Sequence, residues 1–152
     1  MLLIGYGNAG RGDDGLGPAF AETIAAANLR DLKIDVDYQL TVDHAALVAE
    51  ADLVVFADAA MGQKAPFQFT KIGEEPAQSI SSHALTPAAV LKLASTLFEH
   101  HPTAYLLGIA GTEFGEVKEG LSEQAQANLE QAVQHFISWN AARGKAEASL
   151  AL

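Results

Sequence analysis

The sequence predicts an α/β protein, a three-layer sandwich around a mostly parallel, twisted five-stranded sheet with one antiparallel edge strand. Two observations predict this class. The apolar start Met1–Ile4 leads straight into a glycine-rich turn, residues 5–17, and then into an amphipathic helix. Apolar, strand-like segments then alternate with helical ones along the chain. The 152 residues are enough for one domain with a substantial core.

The first elements follow from apolar periodicity. Met1–Tyr6 is predicted to be a buried strand, and Lys33–Leu40 alternates apolar and polar residues as a second strand with one exposed face. Pro18 suits the first turn of the intervening helix. That helix is predicted from apolar residues at helical spacing, namely Leu16, Phe20, Ile24 and Ala27.

The middle of the chain predicts a short helix and two strands. Asp43 is expected to cap a helix from His44 to about Ala51. Asp52–Asp58 is apolar nearly throughout, which is typical of a central parallel strand. Phe67–Ile72 follows after a connection too short for a parallel crossover, so we expect an antiparallel edge strand.

The last third predicts helix, strand and helix. Thr86 and Pro87 have the residue types of a helix N-cap and first position, and this helix runs to about Glu99. Ala104–Ile109 is the last strand. A long helix follows Ser122, with its inner stripe formed by Leu129, Ala132, Val133 and Phe136.

The long helix is predicted to end near Trp139. We therefore expect residues 1–139 to form a single α/β domain. Residues 140–152, with Gly144 and mixed small side chains, are predicted to be a loosely attached tail.

Composition narrows the classes of function. Nine lysines and arginines against 19 acids give a net charge of −10, which disfavours nucleic acid and favours metals or basic peptides. The absence of cysteine excludes disulfides, thiolate ligands and a cysteine nucleophile. We expect no signal peptide, no membrane insertion, a cytoplasmic location and a monomer.

The glycine-rich turn suggests two kinds of ligand. Gly5, Gly7 and Gly10 spell the dinucleotide fingerprint G-x-G-x-x-G between a strand and a helix. Asp13 and Asp14, however, stand where a pyrophosphate would meet the helix N-terminus, and they would repel it. The turn is therefore predicted to hold a cation, although acids in a first turn also serve simply to complement the helix dipole.

Two further residues are expected at the same sheet edge. Asp58 closes the third predicted strand, and His83 lies in a small polar loop before the Thr86 helix. Two carboxylates and one imidazole suit Ni, Zn, Mn or Fe, and three ligands leave positions open for a substrate. Only one of Asp13 and Asp14 should reach the site. His44 has no obvious partner in the sequence.

Several segments together resemble the hydrogenase maturation proteases, which trim the large-subunit precursor of nickel–iron hydrogenases. The resemblance covers the chain to about residue 139 and rests on these segments: Ile4–Asn8, Gly12–Gly17, Tyr38–Thr41, Ala51–Ala59, Ser82–His83, Leu107–Ile109 and Gly120–Ser122. The resemblance implies that Asp14, Asp58 and His83 are both the metal ligands and the catalytic residues. It implies a hydrogenase large-subunit precursor as partner and recognition of the nickel in that precursor, with zinc or cadmium binding in vitro.

Two other interpretations of the sequence stay open. One is a Rossmann-like nucleotide-binding domain, in which Asp35 or Asp37 would bind a ribose. The other is a non-catalytic chaperone that binds metal or precursor on the same fold.

Overall fold

The structure is a computed structural model that describes residues 1–76 and 85–151. Every predicted strand and helix is present in it. In chain order they are β1 (Leu2–Tyr6), a 3-10 turn (Gly12–Gly15), α1 (Leu16–Ala26), β2 (Lys33–Asp37), α2 (His44–Ala49), β3 (Leu53–Met61), β4 (Phe67–Ile72), α3 (Pro87–Phe98), β5 (Thr103–Gly111) and α4 (Glu123–Leu150).

Within the described residues, the strands form one sheet in the order β2-β1-β3-β5-β4. Only the edge strand β4 is antiparallel, paired with β5, which confirms the predicted architecture. The chain leaves β1 toward one edge and leaves β3 toward the other. The crevice beyond the carboxyl ends of β1 and β3 is therefore the topological switch point, where open α/β sheets bind ligands.

The third strand is longer than predicted. Its pairing with β1 ends at Gly5 opposite Ala57, but its pairing with β5 continues to Met61 opposite Gly111. Asp58 therefore does not end the strand, because β5 carries the ladder three residues further. It is the first residue of β3 beyond its register with β1, which places it in the crevice.

Helices cover both faces of the sheet and fix the first turn. The α1 and α4 face is held by an edge-to-face pair, Phe20 against Phe136, while α2 and α3 pack on the opposite face. Helix α1 begins in close contact with the sheet. A Cβ on Gly17 would lie 2.2 Å from the Tyr6 carbonyl oxygen and 2.6 Å from that of Ala57.

Besides the end of β3, the predicted ends of two elements and one predicted cap were wrong. Helix α4 continues past Trp139 to Leu150, and β2 ends at Asp37. Asp43 occupies the N-cap position of α2, but its side chain makes no capping hydrogen bond. Thr86 caps α3 as predicted, and Ser122 caps α4. Loose attachment of residues 140–152 stays a prediction.

Among the described helices, none combines the length and apolarity needed to cross a membrane.

Candidate functional site

Asp14 lies in the 3-10 turn after β1, and its carboxylate faces back across the loop. Its Oδ2 accepts the backbone N–H of Asn8 at 2.8 Å, which leaves Oδ1 for another partner. The close approach depends on Gly7, whose φ is +144° and whose Cβ, if present, would lie 2.1 Å from the Asp14 carbonyl oxygen. Only glycine fits both the dihedral angle and the space.

Asp58 lies beside Tyr6, on the face of the sheet that α2 and α3 cover. Burial raises the pKa of Asp58 to about 6, although hydrogen bonds from the Tyr6 hydroxyl and the Ala59 N–H oppose the rise. The negative charge of Asp14 raises this pKa further. Burial and the charge of Asp58 in turn raise the pKa of the Tyr6 phenol, which stays a hydrogen-bond donor.

Asp14 and Asp58 are thus brought to one crevice, close enough for the charge of one to oppose ionisation of the other. Two like charges in a half-buried site are costly unless a cation neutralises them. The third predicted residue, His83, lies outside the described residues.

The glycine-rich turn is not free to hold a phosphate. A phosphate cradle needs backbone N–H groups aimed at the ligand. In this turn, Asn8 donates to the Asp14 carboxylate and Gly10 donates to the Asn8 side-chain oxygen at 2.9 Å. The next four N–H groups are also bonded within the protein, those of Arg11, Gly12, Asp13 and Asp14. These N–H groups are therefore unavailable to a phosphate, and the Asp14 carboxylate adds negative charge to the turn.

Asp13 has a different role from the one its position suggests. Its place in the first turn indicated a helix-dipole role, but it is fully buried and accepts hydrogen bonds from residues after β5. Its Oδ2 accepts the N–H groups of Thr112 and Glu113 at 2.8 and 2.9 Å. Ser122 donates its N–H to Oδ1 and its hydroxyl to Oδ2. Burial acts to raise the pKa of Asp13, but these hydrogen bonds outweigh it and lower the pKa.

The sequence did not predict this set of hydrogen bonds to Asp13 or the glycine that makes room for its side chain. A Cβ on Gly111 would lie 2.8 Å from the Cβ of Asp13. The only sequence signal was the acid pair itself, because two adjacent side chains point in different directions from one backbone.

A second group of carboxylates and a histidine lies one strand away. His44 is buried, and its Nε2 lies 3.1 Å from Asp35 Oδ2 and 3.5 Å from Asp37 Oδ2. One ligand atom of each residue falls within 4.8 Å of the others, so the group could hold a metal ion. The expectation that His44 lacks a partner was wrong, because β2 brings both carboxylates to it.

The hydrogen bonds of His44 argue against a metal at this second group. Its Nδ1 lies 2.9 Å from the backbone nitrogen of Thr41. A backbone N–H can only donate, so Nδ1 accepts and the ring proton is on Nε2, aimed at the two carboxylates. A metal on Nε2 would require the proton on Nδ1, where it would oppose the Thr41 N–H.

The fold and the crevice define a three-layer α/β protein with paired carboxylates at its switch point and a turn unsuited to phosphate. Solved structures with this fold include the hydrogenase maturating endopeptidase HybD from E. coli, with a TM-score of 0.74 at 20% identity, covering 94% of this chain and 93% of that chain. The NiFe hydrogenase maturation protease HycI from Thermococcus kodakarensis gives a TM-score of 0.68 at 22% identity, with 89% and 88% covered.

A solution structure of an E. coli endopeptidase gives a TM-score of 0.71 at 22% identity, with 90% of both chains covered. The chain therefore has the fold of the hydrogenase maturation proteases, which confirms the resemblance at the level of the fold. Neither the scan against protein-family models nor the search of curated proteins gives a match.

Proposed function

We propose that this protein is an endopeptidase that removes a C-terminal peptide from the nickel-loaded precursor of a hydrogenase large subunit. One observation carries the proposal: two carboxylates, Asp14 and Asp58, converge at the switch point of a fold found in hydrogenase maturation proteases. We assign His83, which precedes α3, as their third partner.

The crevice suits a cation that arrives with the substrate. The repulsion between Asp14 and Asp58 is relieved when a divalent ion lies between them. A set of two carboxylates and one imidazole leaves coordination positions that substrate ligands can fill. The nickel of the precursor is thus substrate, and its recognition would bring the adjacent peptide to the crevice. Zinc or cadmium could take its place in vitro.

Among the described residues of the crevice, Tyr6, Asp14 and Asp58 include no serine or cysteine nucleophile for hydrolysis. Carboxylates flanked by a phenol are suited to orienting a water molecule, and Tyr6 holds Asp58 in one orientation through its hydroxyl. We therefore assign the attack to water positioned at Asp58. A cytoplasmic location fits an enzyme that meets a precursor before its assembly.

The test is incubation with a nickel-loaded and a nickel-free large-subunit precursor, followed by mass spectrometry for loss of a C-terminal peptide. We expect cleavage of the loaded form only. The variants Asp14→Asn and Asp58→Asn should lose at least 100-fold in rate, because an amide keeps the size but loses the charge that binds the cation.

The matched control is Asp52→Asn. Asp52 is an exposed acid directly before β3, at the opposite end of the strand that carries Asp58. This variant should cleave at the wild-type rate. Equal cleavage of nickel-free precursor would refute nickel recognition. Tight precursor binding without cleavage would favour the non-catalytic chaperone.

A further inference from the structure

The loop between β2 and α2, residues 38–43, presents apolar side chains to solvent at the same sheet edge as the carboxylate crevice. Tyr38 and Val42 are each 61% exposed. Between them, Leu40 is 1% exposed and belongs to the core that α2 and α3 cover. Leu40 therefore anchors the loop in the core, while the side chains of Tyr38 and Val42 are exposed to solvent.

A hydrogen-bonded clamp holds this loop. Thr41 donates its N–H to His44 Nδ1, and the opposite ring nitrogen of His44 faces Asp35 and Asp37 on β2. Buried polar groups that are fully bonded rigidify their surroundings. This arrangement gives the Asp35–Asp37–His44 group a role without a metal, because it ties the α2 end of the loop to the edge strand β2.

Tyr38 is also held at both of its ends. Its backbone N–H donates to Asp37 Oδ1 at 2.6 Å, and its hydroxyl accepts from Asn8 Nδ2 at 3.0 Å. Asn8 is the residue whose backbone N–H donates to Asp14. A single residue thus links the exposed ring to the carboxylate crevice. Fixing an exposed aromatic side chain costs conformational entropy that a contact with a partner would repay.

The surroundings of the loop are acidic. Between residues 34 and 63 the chain contains no lysine or arginine, while Asp37 directly precedes the loop and Asp43 is its last residue. Among the described residues, no lysine or arginine forms a salt bridge with Asp37 or Asp43, so a partner segment that covers Tyr38 and Val42 meets negative charge. Complementarity requires that this segment carry a basic residue beside its apolar one.

We propose that Tyr38 and Val42 form a specificity surface that binds an extended segment of the substrate polypeptide, with an apolar side chain against the Tyr38 ring and a basic residue facing Asp43. This inference rests on the proposed function, since the segment is the part of the precursor next to the bond that is cut. It assigns the surface to substrate binding and not to the chemical step.

The experiment measures KM and kcat for cleavage of the nickel-loaded precursor, together with the Kd of precursor binding. Tyr38→Ala and Val42→Ser should each raise KM and Kd about tenfold and leave kcat within twofold. Tyr38→Phe keeps the ring and loses the bond to Asn8, so its KM should rise only two- to threefold. Raising the salt concentration from 50 to 500 mM should raise the wild-type KM.

The matched controls are Phe98→Ala and Leu97→Ser. These residues are 50% and 62% exposed at the end of α3, directly before β5 begins and hence at the opposite edge of the sheet. Their variants should keep the wild-type KM. If the wild type cleaves the precursor but Tyr38→Ala and Val42→Ser keep the wild-type KM, the proposed specificity surface is refuted and the proposed function is not. A wild type that neither cuts nor binds the precursor would overturn the proposed function as well.

Discussion

The carboxylate of Asp13 accepts both the backbone N–H and the hydroxyl of Ser122, each at 2.8 Å, across 109 residues of sequence. Ser122 is also the N-cap of α4, where its hydroxyl oxygen accepts the Ala125 N–H. One buried acid therefore joins the glycine-rich turn to the start of the last helix. This bond keeps the Asp14 side of the turn in place while taking Asp13 itself out of the crevice.

We expect Asp13→Asn to lower the free energy of unfolding by about 3 kcal/mol, since hydrogen bonds to a charged group contribute roughly 1.5–3 kcal/mol and an amide cannot accept all of these donors. Urea unfolding at pH 7 measures the loss. Asp52→Asn, an exposed acid, is the control and should change stability by less than about 0.5 kcal/mol.

The difference between wild type and Asp13→Asn should depend on pH. The folded-state pKa of Asp13 is lowered, so its stabilisation is fully present above the unfolded value near 3.9 and is lost as the pH falls through the folded value. Unfolding curves at several pH values test this. A difference that stays constant down to the acid limit would contradict the assignment.

Asp58 should behave in the opposite way. Its folded-state pKa of about 6 lies above the unfolded value, so its charged form costs stability above pH 6, and the cost disappears below the unfolded pKa. Asp58→Asn should therefore be more stable than wild type by about 2 kcal/mol at pH 7 and equally stable near pH 3.5. Paired urea titrations at the two pH values measure this, and a destabilised variant at pH 7 would show that the charge is not the dominant factor.

Metal binding distinguishes the two groups of acids. A hundredfold excess of zinc or nickel over Kd should stabilise the wild type by about 2.7 kcal/mol. The stabilisation should disappear in Asp14→Asn and His83→Ala. It should persist in Asp35→Asn, because the Nε2 atom of His44 carries a proton, so the Asp35–Asp37–His44 group does not bind the metal. Thermal unfolding with and without metal measures it, and loss in Asp35→Asn alone would move the metal to the β2 edge.

NAD and NADP should not bind. Calorimetric titration measures this, and we expect no heat of binding at micromolar concentrations, because the N–H groups of Asn8 and of residues 10–14 are bonded to protein acceptors and Asp14 adds negative charge. Micromolar affinity for either nucleotide would favour the Rossmann interpretation.

Two glycine-to-alanine substitutions should have opposite signs. Gly17→Ala puts a methyl group within 2.2 Å of a backbone oxygen and should destabilise the protein by about 3 kcal/mol. Gly144 lies within α4 with open space around it, so Gly144→Ala should stabilise the protein by about 0.5–1 kcal/mol. Thermal unfolding measures both. Absence of any gain at Gly144 would support the predicted loose tail over a continuous helix.

Local pattern was sufficient for the elements of the fold. The apolar stretch of β3 and the short connection to β4 predicted a central strand and an antiparallel edge, and both are confirmed. Boundaries were less predictable, because β3 extends only where β5 continues to pair with it and α4 passes Trp139 without a sequence signal that would stop it.

The candidate site shows the same division between local and long-range causes. The sequence alone determined that carboxylates gather at the carboxyl ends of the parallel strands. These strands end at the same side of the sheet, and an acid that closes an apolar run can be recognised in the sequence. Only the tertiary structure decided that Asp13 is buried and hydrogen-bonded while the charge of Asp14 acts on Asp58, because the partners of Asp13 come from residues 112, 113 and 122. The use of His44 as a clamp was likewise decided by the β2 register, which no local pattern encodes. Hydrogen bonds between residues far apart in the chain depend on how the elements pack, and local sequence patterns do not reveal that packing.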